Sequence, residues 1–292
     1  MKDNHRVGEE RIETLPLFSV LDQHLLALLR SLTPDEWNAP TLAPLWSVKD
    51  VAAHLLDGNL RALSMLRDGY MGSSTPEINS YQDLVAYLNS LNAEWIAATK
   101  RLSPAVIIDL LEKTGEEYTA YLHTLDPDTN AVFAVAWAGE KESRNWFHIA
   151  REYTEKWHHQ QQIRWAVGQE KVLYSKELVE PFLETSLRAL PFHYRHVQAP
   201  EGTALAFFVT GENKYSWYLI KQEHGWFLTK HTTKPVACSV TMDVSIAWRI
   251  FTKGITPREA EKQLTVEVVS TFEPETAREY GLRIVDMLAV MA

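Results

Sequence analysis

The chain has 292 residues, of which 46% are hydrophobic and 23% charged, and its 38 acidic against 29 basic residues give a net charge of −9. That length suits two domains of roughly 100–200 residues each, and that composition suits a chain that buries real cores. The acidic balance argues against nucleic acid and an anionic membrane surface as partners, since both call for a dense Lys/Arg face.

The first residues, "MKDNHRVGEERIETL", are polar and acidic and lack the apolar core of a signal segment. No uncharged run approaches the roughly 18 residues of a membrane span. A single cysteine, Cys238, leaves no internal disulfide and fits a reducing compartment. The expectation is a cytoplasmic protein, monomeric or homodimeric, whose partner is a small-molecule substrate.

The first half has helical periodicity. Apolar residues recur at three- and four-residue intervals from Thr14 to Leu32 and stop at "TPDEW". After the Pro-punctuated "APTLAPLW", Ser47 is placed to cap "VKDVAAHLLDGNLRALSML", with Asp50 in the capping-box position. "GYMGSSTPEIN" is a loop by composition. Helices at about 80–101 and 104–124 follow, the second opening at Ser103-Pro104, where proline suits the first helical position. A last helix runs from about Ser143 to Val167 and ends at Gly168, a suitable C′ glycine. Short connections and one apolar stripe per helix imply an up-and-down four-helix bundle.

Beyond Gly168 the texture changes. "TALAFFVTG", "YSWYLIKQEHGWFLTKH" and "ACSVTMDV" are β-branched and aromatic runs parted by turn signals. Helical patterns return in "VSIAWRIFTKG", "PREAEKQL" and "TAREYGLRIVDMLAVM". The fold class is therefore α+β: a helical bundle over 1–172, then a smaller domain over 173–292 built on an antiparallel sheet.

Chemistry concentrates in "REYTEKWHHQQQIRWAVG". His148, Glu152, Glu155 and His159 stand at i, i+4, i+7 and i+11, which is one face of a helix. Apolar bulk around that stripe, including Trp146, Phe147, Ile149, Trp157 and Ile163, argues that part of it lies inside, where ionisable groups need partners or a metal. Glu155 and His159 can reach one ion from adjacent turns, and carboxylate with imidazole is a zinc donor set. The third ligand must come from another helix, and His54 in the apolar "VAAHLL" is the candidate. Plainer readings compete: a hydrogen-bonded core histidine at position 54, a surface i,i+4 pair, or a solvated polar face in "EKWHHQQQ". His158 stands about 100° round the helix from His159, which argues against both serving one ion. His148 and Glu152 are a rival pair of ligands, or groups that orient the ligands.

Other residues rank lower. Cys238, in "PVACSV", reads as a buried structural thiol. Asp57 either holds the His54 imidazole or faces solvent. His193 and His196 have metal-like i,i+3 spacing but fall near the domain junction. Nucleotide-binding glycine motifs, the nucleophile elbow and H-E-x-x-H are missing from the sequence.

Together, "WNAPTLAPLWSVKDVAAHLLDGN" and "EYTEKWHHQQQIRWAVG" resemble two segments of the DinB-like metal-dependent superfamily. They are most similar to its mycothiol-dependent maleylpyruvate isomerase group. The resemblance covers most of 14–168 and implies that His54, Glu155 and His159 form a three-ligand metal set. Residues 176–292 resemble the sterol-carrier-like C-terminal domain of that group. Glutamate at 155, where many DinB-like chains carry histidine, favours the isomerase branch. Arg249, in "AWRIF", is the candidate for that branch's substrate-binding arginine, with a surface helix arginine as the plainer alternative. What the resemblance implies is a divalent ion, zinc before nickel or another metal, and a low-molecular-weight thiol such as mycothiol, bacillithiol or glutathione. The activity would be isomerisation or S-transfer on a small carboxylated substrate. Metal-dependent hydrolysis of a small molecule, or metal or ligand binding without catalysis, are the alternatives.

Overall fold

The computed structural model describes residues 10–72, 76–269 and 272–291. Eight main helices and five strands carry the fold. The helices are α1 (Phe18–Ser31), α2 (Val48–Ala62), α3 (Tyr81–Thr99), α4 (Pro104–Leu122), α5 (Asn145–Ala166), α6 (Lys176–Leu187), α7 (Val244–Phe251) and α8 (Pro274–Leu282). The strands are β1 (Ala204–Thr210), β2 (Lys214–Gln222), β3 (Gly225–Thr229), β4 (Val236–Asp243) and β5 (Thr265–Val268).

Helix starts follow local chemistry. Ser47 and Asp50 form the capping box at α2: the Ser47 amide donates to Asp50 Oδ2 at 2.9 Å and the Asp50 amide returns to Ser47 Oγ at 3.3 Å. Thr33 and Glu36 make the same box, so that "TPDEW" becomes a capped helical turn, Pro34–Trp37. Ser103 caps α4 with Pro104 at its first position. Gly168, at φ 70°, supplies the left-handed residue that stops α5.

One unit comprises Glu13–Val132 and Arg144–Leu173. In it α1, α4, α2 and α5 pack in sequence around a ring, α5 closing back on α1, while α3 lies against α2. Val51 and Leu56 of α2 are fully buried beside Leu29 and Ile107, each such side chain contributing about 1.5–3 kcal/mol. α2 runs on into a π turn, Leu63–Arg67.

The second unit comprises Tyr174–Met291 with Phe133–Ser143 and, of the described residues before α1, residues 10–12. Segment Phe133–Ser143 lies between α4 and α5 in sequence, yet its contacts are here: the turn Ala136–Ala138 packs on the turn Leu190–His193. The sheet order is β3-β2-β1-β4-β5. Its pairs are antiparallel except for β1 and β4, which run parallel. An all-antiparallel sheet was the expectation; the β2–β3 hairpin extends one side of β1, and the returning chain pairs with its other side in the same direction. Leu205, Phe207, Cys238 and Val240 share a buried face under α8, where Gly281 sits so close that a Cβ would lie 2.6 Å from Cys238 Sγ. The helical pattern expected to reach Met291 stops earlier. α8 ends at Leu282, a 3-10 turn covers Arg283–Asp286, and the tail then runs past α7, the Ala289 amide donating to Phe251 O at 2.9 Å.

Candidate metal centre

α5 is the least amphipathic of the long helices because polar residues are buried on several of its faces. Gln160, Gln161 and Gln162 are 1%, 0% and 6% exposed, which overturns the solvated-face reading of "EKWHHQQQ". Each has its own task. Gln160 donates to Leu21 O at 2.9 Å and accepts from Arg164, tying α5 to α1. Gln161 donates to Glu170 O at 3.1 Å, fastening the chain after α5. Gln162 presents its Oε1 to Nδ1 of His159 at 2.9 Å.

Contact between α2 and α5 brings His54 against His159, with ring centroids 4.5 Å apart and planes at 71°. Trp46, immediately before the α2 cap, lies 4.8 Å from the His54 ring and 6.5 Å from that of His159, forming an aromatic wall on both. One turn back on α5, Glu155 Oε2 is 3.6 Å from His159 Nε2. Because the Gln162 oxygen accepts from Nδ1, His159 turns the lone pair of Nε2 towards Glu155. Nδ1 of His54 is buried and has no hydrogen-bond partner among the described residues.

His158 joins this group despite its angular offset. Its ring lies 3.9 Å from that of His159, and the ligand atoms of Glu155, His158 and His159 all fall within 4.8 Å of one another. The 100° step separates the two Cβ atoms, but the imidazoles extend far enough to converge again. The nitrogen that faces Glu155, Nδ1 at 4.0 Å, is nevertheless committed: it donates to Thr154 O at 2.9 Å.

Electrostatics favour an ionised Glu155. Burial opposes its ionisation, but the imidazole of His159, 3.6 Å away, and the guanidinium of Arg151 help to outweigh it and bring the carboxyl down to about 2. Burial holds His158 down to about 4 and His54 well below the usual histidine range. Two nitrogen donors and one carboxylate suit a divalent cation such as zinc, and the unpartnered buried nitrogen of His54 is the kind of atom such an ion satisfies.

The rival pair has other work. His148 Nδ1 accepts from Arg151 Nη2 at 2.8 Å, and Glu152 pairs with Arg151 at 2.7 Å while accepting from Tyr118 OH at 2.9 Å. The Glu155, His158 and His159 cluster includes neither of them, nor His54, whose ring meets that of His159. Asp57 neither holds His54 nor faces solvent: it is buried and pairs with Arg61 Nε at 2.9 Å. His193 donates to Arg283 O at 2.6 Å and His196 is exposed, so that pair converges on nothing. Cys238 is buried, and burial pushes its thiol up to about 11, as suits a structural cysteine. Arg249, in the second unit, donates from Nε to Ser245 O at 2.7 Å on its own helix.

Sequence reasoning did not single out Gln162, Trp46 or Arg61. The i,i+3 spacing of His159 and Gln162 was available as a signal, and so was the position of Trp46 directly before the α2 cap.

The family model for the mycothiol maleylpyruvate isomerase N-terminal domain matches residues 18–164, half of the chain, and spans every element that carries these side chains. The chain belongs to that family. Two crystal structures align with this member of the mycothiol maleylpyruvate isomerase family over nearly its whole length. They are the mycothiol-dependent maleylpyruvate isomerase, at 15% identity, and a mutant of it, at 14%. Each covers 92% of this chain and 96% of its own, with a TM-score of 0.51, which establishes a shared fold across both units. Sterol Carrier Protein 2 from Yarrowia Lipolytica and a UbiJ-SCP2 ubiquinone synthesis protein also align, over 30% and 37% of the chain, at TM-scores of 0.23 and 0.24 that are too low to bear on the second unit. No curated protein matches the chain. Among the described residues no helix is long and apolar enough to cross a membrane.

Proposed function

We propose that this chain is a metal-dependent enzyme that uses a low-molecular-weight thiol for isomerisation or S-transfer on a small carboxylated substrate. His54, Glu155 and His159 hold the ion, with zinc the best match to the donor set. The observation that carries the reading is the partnerless buried Nδ1 of His54, on a ring 4.5 Å from that of His159. Family membership supports the same reading, and mycothiol is the first thiol to test.

His54 enters the ligand set ahead of His158 because the His158 nitrogen that faces Glu155, Nδ1, is taken by the Thr154 carbonyl, whereas Nδ1 of His54 is unpartnered. Three protein ligands leave a position for a reactant, as in catalytic rather than structural zinc sites. Bound there, a divalent ion supplies Lewis acidity that ionises a thiol at neutral pH. The chain's own residues prepare that position. Glu155 brings a full negative charge, Gln162 fixes the ring orientation and tautomer of His159, and Trp46 covers one side of both imidazoles and keeps water from it.

Elemental analysis of the purified protein beside His54→Ala and His159→Ala tests the ligands, and turnover of maleylpyruvate with mycothiol, bacillithiol or glutathione tests the chemistry. Near-stoichiometric metal lost in both variants, with turnover only when thiol is present, is the expected result. Metal with thiol-independent hydrolysis would replace this reading by that of a hydrolase. Folded protein that holds no metal and gains none on addition ends it.

A further inference from the structure

The metal centre occupies one end of a longer strip of α2. His54, Gly58 and Arg61 stand at i, i+4 and i+7, on one face of that helix over two turns, which is about 10 Å of rise. Gly58 leaves the middle of the strip bare. A Cβ built on it meets nothing within 4 Å, so there is open room immediately beyond His54. At the far end Arg61 is held in place from behind. Asp57, 6% exposed, lies 2.9 Å from Arg61 Nε, and neither Asp57 Oδ2 nor Arg61 Nε completes an aligned hydrogen bond. Among the described residues Asp57 is the partner Arg61 has, and the Arg61 side chain is 33% exposed. Its two terminal nitrogens therefore remain as donors in the planar fork that matches a carboxylate.

The charge of Arg61 reaches His54, whereas Arg151, whose charge reaches Glu155, cannot serve in this way. Its guanidinium is spent on Glu152 and His148.

We propose that Arg61 is the anchor for a carboxylate of the substrate, which lies along the bare strip at Gly58 with its reacting end at His54. This deepens the proposed function and rests on it. The strip suits a small acid, since the rise of about 10 Å between positions 54 and 61 is shared between the reach of the Arg61 side chain and the ligand. Asp57 is a positioning residue: its charge holds the root of the guanidinium and leaves the fork free. A carboxylate belonging to the thiol is the other possible source of the same chemistry, and the experiment separates the two.

The test is calorimetric titration of the zinc-loaded full chain with maleate and, separately, with glutathione, in the parent, Arg61→Gln, Asp57→Asn and Gly58→Leu. Zinc content and melting temperature are recorded for each. The expected result is zinc retained throughout, maleate binding weakened roughly tenfold to a hundredfold in Arg61→Gln, as for loss of a charged hydrogen bond, and abolished in Gly58→Leu. Asp57→Asn keeps the guanidinium but loosens the hold on its root, and should weaken maleate binding less than Arg61→Gln does. Equal maleate affinity in parent and Arg61→Gln, no maleate binding to zinc-loaded parent, or equal loss in Asp57→Asn and Arg61→Gln would each overturn the proposal. Glutathione weakened with maleate unchanged would move the anchor from substrate to thiol and overturn it as well. Failure of the parent to take up zinc is a different result, read from the metal analysis alone, and removes the underlying function with it.

Discussion

Nδ1 of His159 donates to Oε1 of Gln162 at 2.9 Å, and that bond decides which nitrogen His159 turns towards Glu155. Replacing Gln162 by leucine keeps the volume and removes the acceptor. Zinc affinity should fall roughly ten- to a hundredfold, the usual cost of losing a partner that orients a ligand. Competition with a chromophoric chelator measures it, and an unchanged affinity would show that the tautomer is fixed by something else.

His158 and His54 make opposite predictions. If Nδ1 of His158 serves the Thr154 carbonyl, His158→Ala should keep near-stoichiometric metal, whereas His54→Ala should lose it. Metal retained in His54→Ala and lost in His158→Ala would transfer the third ligand to α5.

Gln160 carries a structural load that the neighbouring Gln162 does not. Its oxygen accepts both Nε and Nη2 of Arg164, at 3.1 and 3.0 Å, and its amide reaches Leu21 O. Gln160→Ala should cost about 2–3 kcal/mol in chemical denaturation, because a buried guanidinium is left short of an acceptor. Metal content should be unaffected.

Two glycine-to-alanine changes should have opposite signs. Gly58 sits in a helix with open space at its Cβ, so Gly58→Ala should stabilise by about 0.5–1 kcal/mol through the unfolded chain. A Cβ at Gly281 would lie 2.6 Å from Cys238 Sγ and 2.9 Å from Val240 Cγ2, so Gly281→Ala should destabilise by about 1–3 kcal/mol through overpacking. Urea unfolding of both variants checks the contrast.

Cys238 should resist alkylation in the native state. Burial raises its thiol to about 11, so the reactive thiolate stays scarce up to pH 9, and the side chain is fully covered. Iodoacetamide labelling should proceed only in denaturant; native labelling at pH 8 would contradict the packing under α8.

What could be read from the sequence was what is settled locally. Caps at Ser47 and Ser103, the Gly168 stop and the i,i+4 pair on α5 depend on residues within one or two turns. Locating His54 opposite that pair needed the family resemblance as well. Features built from distant residues stayed hidden. The parallel β1–β4 pairing joins strands separated by a hairpin, and β5 is too short, at four residues, to show an alternation. α6 carries Pro181 within it, which interrupts the helical pattern. The tasks of the three glutamines depend on what α1, the segment after α5 and His159 each offer, and a run of identical residues gives no hint of that division.

The assignment of Phe133–Ser143 bears on how the chain is made. Val135 is fully buried and Trp137 is 7% exposed, in a turn that packs on residues 190–193. During synthesis these two side chains leave the ribosome some fifty residues before the turn that covers them. A nascent or truncated chain ending near 172 therefore presents an apolar tryptophan and valine to chaperones, and a protease could cut there. Deleting the second unit removes their cover, and dissecting this protein into independent halves would require a new surface at 133–143 as well as a new terminus.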